Sequence, residues 1–255
     1  MKLLPSSIYN TKFPCRLNEL SSITMDDGTN KSDDKFYDTE VTYQLNSHGY
    51  RCDEFDNIDW ENSIVFHGCS NVFGVANPEE YTIPKLFESI SGIKTVNLGM
   101  PGVGADYVSN NILMMRRQDI KPLANVVLWP NPERFYFTDE ADDILWHVSS
   151  NTIKGGYNRK MFNIPYLLNI KNNKHRFFNS VLSAQYYYDL VNLSLDITAV
   201  DYLTELNLPN FFKPNTNFYK FEYNYARDGQ HYHWKTHYDI SKFIYKKINT
   251  KKEII

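Results

Sequence analysis

The chain predicts an α/β fold built on a mainly parallel sheet, and two observations carry that expectation. From Ser63 onward, short apolar runs of strand type alternate with stretches of helical period. Three of those runs end in turns: Gly68-Cys69-Ser70, Gly99 to Gly104, and Trp129-Pro130-Asn131. Strands alternating with helices of this length read as βαβ units. In open parallel sheets, ligands bind outside the carboxyl ends of the strands.

Residues 1–60 read as an N-terminal extension packed on a core domain at 61–250. Within it, Met25 to Asp34 is polar and turn-rich, a loop whose carboxylates lack calcium-loop spacing. Glu40 to Asn46 alternates as a short strand would, and Asn46 to Arg51 reads as a turn. Ser63 to Phe66 is a buried-type strand. Pro78 to Ser91 has Ile83, Leu86, Phe87 and Ile90 at i, i+3, i+4 and i+7, which predicts a helix. Thr95 to Leu98 is a second strand, followed by a helix with Val108, Ile112 and Met115 facing inward. Asn125 to Trp129 is a third strand. The stretch near 133–175 is less regular and reads as an insertion or lid. Phe177 to Leu206 is largely helical in composition, in one piece or two. Asn217 to Tyr223 is a candidate last strand, and Ile240, Phe243, Ile244 and Ile248 mark a C-terminal helix.

Composition narrows the function classes. The 255 residues are 42% hydrophobic, enough for a sizeable core. A formal net charge of −3 and a pI near 6.2 give no basic footprint for nucleic acid. The lysines of Lys246 to Lys252 read as a solvated helix end. Cys15, Cys52 and Cys69 follow no metal spacing and form no disulfide framework. The apolar stretch after Met1 is too short for a signal peptide, and no run is long enough to span a bilayer. The expectation is a soluble protein, cytoplasmic by default. Nothing in the sequence sets an oligomeric state.

Ser70 follows the first strand, and Asp228-Gly229-Gln230-His231 lies near the other end of the chain. In an α/β fold the two can meet as nucleophile, base and orienting carboxylate. Each has a plainer reading. A serine after a strand is often a helix N-cap, and Asn131 between two prolines is a common turn residue. The turn at Gly99 to Gly104 fits neither phosphate-binding glycine pattern. His231, His233 and His237 with Asp228 could ligate zinc, but that reading leaves the serine turn, Gly102 and Asn131 unexplained.

These residues resemble the SGNH (GDSL-like) hydrolases in four ordered blocks. His67-Gly68-Cys69-Ser70 with Gly74 is similar to the Gly-Asp-Ser block. Val96 to Gly102 is similar to the block whose glycine donates a backbone N–H. Val127 to Asn131 is similar to the block whose asparagine follows a strand, and Asp228 to His231 to the Asp-x-x-His block. Asn46 to Arg51 resembles a segment that precedes the first block in one subset of the family. The resemblance spans about residues 40 to 250, with poor matching between 133 and 215.

It implies a three-layer αβα sandwich with a flavodoxin-like sheet, and an ester hydrolase that needs no cofactor and no metal. Ser70 would be the nucleophile, His231 the base and Asp228 its orienter. Ser70 N–H, Gly102 N–H and the Asn131 side-chain amide would form the oxyanion hole. The implied substrate is a small-molecule or glycan ester, such as an O-acetyl or other short acyl group on a carbohydrate. Aromatic residues of the insertion, Trp146, Tyr157, Phe162 and Tyr166, could stack on sugar rings or simply pack the insertion.

Two departures stand out. Cys69 replaces the usual aspartate, and its side chain is expected to point away from that of Ser70. Trp129-Pro130 replaces small residues and is expected to narrow the pocket or re-aim Asn131. The Cys69 change also motivates a different class of function, a catalytically inactive module that binds a glycan or a protein. A metal-dependent hydrolase using the histidines is the third reading.

Overall fold

Four strands pair in the order β2-β1-β3-β6, all parallel, in a computed structural model that describes residues 41, 43–139, 144–148, 170–213, 226 and 231–250. They are β1 (Ser63–Gly68), β2 (Lys94–Gly99), β3 (Ala124–Trp129) and β6 (Leu190–Ser194). A separate antiparallel hairpin joins β4 (Phe135–Asp139) to β5 (Ile144–Val148). The helices are α1 (Ser70–Phe73), α2 (Ile83–Ser91), α3 (Ala105–Arg117), α4 (Ile170–Tyr187), α5 (Ile197–Leu206) and α6 (Trp234–Thr250).

Side chains alternate across the sheet, so each strand feeds two cores. Ile64, Phe66, Val126, Leu128, Val191 and Leu193 face α2 and α6, meeting Ile83, Phe87, Ile240, Ile244 and Ile248. Val65, Val96, Leu98, Val127 and Trp129 face the other way. They meet Val108, Ile112 and Met115 of α3, Phe177 and Val181 of α4, and Leu203 of α5. Full burial of each such side chain contributes roughly 1.5–3 kcal/mol. Two helical layers around one parallel sheet give the three-layer αβα sandwich expected from the sequence.

The chain runs from β1 to β2 on one side, then returns to place β3 on β1's other side. The crevice between the carboxyl ends of β1 and β3 is therefore the topological switch point of the sheet. Register aligns those ends: Gly68 pairs with Gly99 and with Leu128, and Trp129 pairs with Ser194.

The stretch from Phe177 to Leu206 is not all helix, because β6 lies between α4 and α5. Leu190-Val191-Asn192-Leu193-Ser194 is short, and its Asn192 obscures the apolar run. Asn192 is fully buried because its amide is used: it accepts from Trp129 Nε1 at 2.9 Å and donates to Gln185 Oε1 at 2.8 Å. The helix expected from Pro78 begins at Ile83. Thr82 caps it, its hydroxyl accepting from Lys85 N, and Glu79–Tyr81 forms a single 3₁₀ turn before it. Residues 43–46 join no strand. Tyr43 instead packs its ring 5.3 Å from that of Phe73. The expected strand at Asn217 to Tyr223 lies outside the described residues. Of the expected insertion, the hairpin and the start of α4 are described, and Trp146 falls on β5. Tyr157, Phe162 and Tyr166 lie outside the described residues. No helix among the described residues is long and apolar enough to cross a membrane.

Candidate active site

Ser70 is the first residue of α1, directly beyond the central strand β1. Cys69, not Ser70, holds the N-cap position, so the hydroxyl is not spent on capping. Among the described residues, the one hydrogen-bond contact of Ser70 Oγ is Cys69 Sγ, at 3.9 Å. The two side chains are therefore neighbours and not opposed, contrary to the expectation for an extended segment. Cys69 itself is extended (φ −99°, ψ −150°), but Ser70 already opens the helix, which ends the strand's alternation.

α1 is seated on the end of β2. Asn97 Nδ2 donates to Val72 O at 3.0 Å, and Asn97 Oδ1 accepts from Gly99 N at 2.9 Å. Met100 N donates to Gly68 O at 3.0 Å and draws the next turn over the end of β1. That turn carries Gly102 at φ +79°, a left-handed conformation that glycine adopts without a Cβ penalty. Neither Ser70 N–H nor Gly102 N–H donates to a described residue. Both stand at the carboxyl edge of the sheet, Ser70 at the start of the helix after β1 and Gly102 in the turn after β2.

Asn131 emerges two residues past β3. Its Oδ1 accepts from Glu133 N at 2.8 Å, and its Nδ2 donates to Asp196 Oδ2 at 3.1 Å. The amide is thus oriented at both ends and retains one N–H. Asp196 also caps α5, its Oδ1 accepting from Ala199 N at 3.0 Å. Trp129 does not narrow this region. Its indole is 1% exposed and lies in the core, edge-on to Phe177 with ring centroids 6.0 Å apart.

The C-terminal block reaches the same edge from the other side. Tyr232 O accepts from Asn77 Nδ2 at 3.2 Å, and Tyr232 Oη donates to Leu195 O at 3.5 Å. His231, half-buried, is thereby held between the loop after α1 and the end of β6. Its carbonyl accepts from the buried Ala226 N at 2.9 Å. Asp228 lies outside the described residues.

The other histidines have separate work. His233 Nδ1 accepts from Lys235 N at 3.2 Å in the first turn of α6. His237 Nδ1 donates to Tyr81 O at 3.0 Å. Burial pushes His237 down to about 4, and the neighbouring His231, Arg51 and His233 add to that. Among the described residues no group of three metal-ligating side chains is placed to hold an ion.

Three polar residues near the site, the buried Arg51 and the part-buried Asp196 and Asp106, are not among the candidate site residues that the sequence offers. Arg51 donates to three backbone carbonyls around α1. Asp196 holds Asn131, and the position just ahead of an apolar helical run could have marked it as an N-cap. Asp106, in the first turn of α3, accepts from Tyr107 N and Tyr136 N at 2.9 and 3.0 Å and ties the hairpin to the glycine turn. Burial pushes its carboxyl up to about 6.

No family model matches the sequence, and no curated relative matches it. Three solved structures report what the chain resembles. A protein described as a GDSL-like lipase, from Bacteroides ovatus ATCC 8483, is 17% identical over 75% of this chain and 53% of its own, with a TM-score of 0.43. A lipolytic protein of the G-D-S-L family from Desulfitobacterium hafniense DCB-2 is 11% identical over 73% and 99%, with a TM-score of 0.46. An acetyl xylan esterase from Butyrivibrio proteoclasticus is 12% identical over 78% and 66%, with a TM-score of 0.44. The chain is similar to GDSL and SGNH-type hydrolases. It spans about half the length of the Bacteroides protein.

Proposed function

We propose that this chain is a serine esterase of SGNH type, with Ser70 as nucleophile, His231 as general base and Asp228 as its orienter. One observation carries the reading. Ser70 stands at the switch point with its hydroxyl uncommitted to capping, and neither its own N–H nor that of Gly102, in the turn after β2, donates to a described residue. Ser70 Oγ would attack the ester carbonyl. His231 would take the hydroxyl proton and return it to the leaving alcohol, and Asp228 would hold the imidazole tautomer. Ser70 N–H, Gly102 N–H and Asn131 Nδ2 would receive the oxyanion, each such donor being worth roughly 3 kcal/mol in the transition state. The ester is an O-acetyl or another short acyl group on a carbohydrate, the substrate class that the resemblance implies.

The contact between Ser70 Oγ and Cys69 Sγ favours a second reading, an inactive SGNH-like module that binds a glycan or protein. The experiment that separates them is p-nitrophenyl acetate and butyrate hydrolysis with fluorophosphonate labelling, in wild type and Ser70→Ala. Turnover and labelling that vanish in Ser70→Ala are the expected result. A wild type that neither turns over nor labels would sink the esterase.

A further inference from the structure

We propose that Arg51 and Asn77 form a positioning bridge that holds the Ser70 helix and the His231 turn in fixed relation. This rests on the reading of Ser70 and His231 as nucleophile and base.

Arg51 is 1% exposed and pairs with no carboxylate among the described residues. Its Nη1 donates to Phe73 O at 3.1 Å and Gly74 O at 2.9 Å, and its Nη2 donates to Asn77 O at 3.1 Å. The rings of Tyr43 and Phe73 flank the guanidinium at 4.7 and 5.5 Å. A buried charge is costly to desolvate, and Glu79 and Glu80, which form no ion pair with it, offset only part of that cost. Burial indeed pushes this guanidinium down to about 10. What the side chain gains in return is three carbonyls in one planar fork, an arrangement that lysine cannot reproduce.

Those carbonyls have a common address. Phe73 and Gly74 form the end of the helix that begins at Ser70. Asn77 is fully buried, and its Nδ2 donates to Val75 O at 3.0 Å and to Tyr232 O at 3.2 Å. Tyr232 is the residue after His231. An unbroken path of hydrogen bonds therefore runs from the Ser70 helix through Arg51 and Asn77 to the His231 turn. Neither residue touches the reacting atoms. Both act through the geometry of the groups that do.

A buried arginine that merely holds a loop would make the same bonds, so the test must read coupling and not only stability. We would measure steady-state hydrolysis of p-nitrophenyl acetate and the rate of fluorophosphonate labelling. The proteins are wild type, Ser70→Ala, His231→Ala, Asn77→Ala and Arg51→Lys, together with the doubles Asn77→Ala/His231→Ala and Arg51→Lys/His231→Ala. Melting curves accompany each. A misplacement of about 1 Å costs on the order of 10²-fold in rate. Asn77→Ala and Arg51→Lys are each expected to lower kcat and the labelling rate by roughly 10- to 100-fold, with KM within about twofold. In the His231→Ala background the same substitutions are expected to cost almost nothing, because no base remains to be aligned. Asn77→Ala is the milder variant and keeps the test open if Arg51→Lys does not fold. Labelling that is lost in Ser70→Ala but unchanged in folded Asn77→Ala overturns the bridge alone. So does a rate loss that persists undiminished without His231. Absence of labelling in wild type overturns the bridge and the esterase together.

Discussion

Gly99→Ala probes how rigidly the nucleophile helix is seated. A Cβ built on Gly99 would stand 2.8 Å from the Val72 carbonyl carbon and closer still to Phe73 N, where ordinary contact begins near 3.4 Å. Both atoms are backbone of α1, so no side chain can swing aside. The helix must then move by at least about 0.6 Å, the difference between those two distances. It cannot do so freely, since Asn97 holds Val72 O from β2 and Arg51 holds Phe73 O from the other side. Overpacking of this kind costs roughly 1–3 kcal/mol of stability. The displaced Ser70 is expected to lose on the order of 10- to 100-fold in kcat. The assay is urea unfolding together with p-nitrophenyl acetate turnover. A Gly99→Ala protein that unfolds and turns over like wild type would refute the reasoning, since it would mean α1 shifts without consequence.

Two other perturbations test separate parts of the structure. Asp196→Asn keeps an oxygen to cap α5 but presents a donor to Asn131 Nδ2, which cannot flip because Asn131 Oδ1 already accepts from Glu133 N. Stability is expected to stay within about 1 kcal/mol, while kcat falls by up to ~10²-fold as one oxyanion donor is re-aimed; unchanged turnover would remove Asn131 from the oxyanion hole. For pH, burial pushes His67 and His237 each down to about 4 from 6.5, so the stability they lend is full above about 6.5. It is lost as pH falls toward 4, because only the unfolded chain takes up those protons, at about 1.4 kcal/mol per pH unit per histidine. Asp106, pushed up to about 6 from 3.8, opposes one of them: the folded chain keeps its proton between pH 6 and 4 and gains stability as pH falls. The net expectation from these three groups is a loss of about 1.4 kcal/mol per unit below pH 6. Urea midpoints that stay flat between pH 7 and 4.5 would contradict it.

Periodicity made the sheet legible where side chains follow one rule. Ile64, Phe66, Val126 and Leu128 are apolar on one face, Val65 and Val127 on the other, and the run of both faces reads as a strand buried twice. β6 was not legible in the same way. Its Asn192 is polar in sequence and buried in space, and only the Trp129 and Gln185 partners, distant in the chain, make that tolerable. The turns that hold Ser70, Gly102 and Asn131 are legible because turns follow strands and the switch point brings them to one edge, while the choice of Gly102 and Asn131 within them is what the resemblance implies. Arg51, Asn77 and Asp196 could not be named as site-supporting residues. Their importance lies in which backbone groups they meet, and no local pattern encodes that.

The same distinction bears on Cys69. A thiol in place of a carboxylate beside the nucleophile looks at first like a lesion in the catalytic turn. Yet the structure assigns little anchoring to that position: Cys69 makes no side-chain cap to α1. The helix is instead held from its other end and from below. Arg51 takes the carbonyls of Phe73 and Gly74, and Asn97 takes that of Val72 while accepting from Gly99 N. Three of those bonds, from two buried side chains, reach α1 and fix the turn that carries Ser70, and the fourth holds Asn97 itself. The identity of residue 69 is then free to vary so long as its side chain fits beside Ser70 Oγ. On this argument Cys69→Asp and Cys69→Ala should both retain a folded α1, and the substitutions that matter to the nucleophile's placement are the ones at Arg51, Asn97 and Gly99.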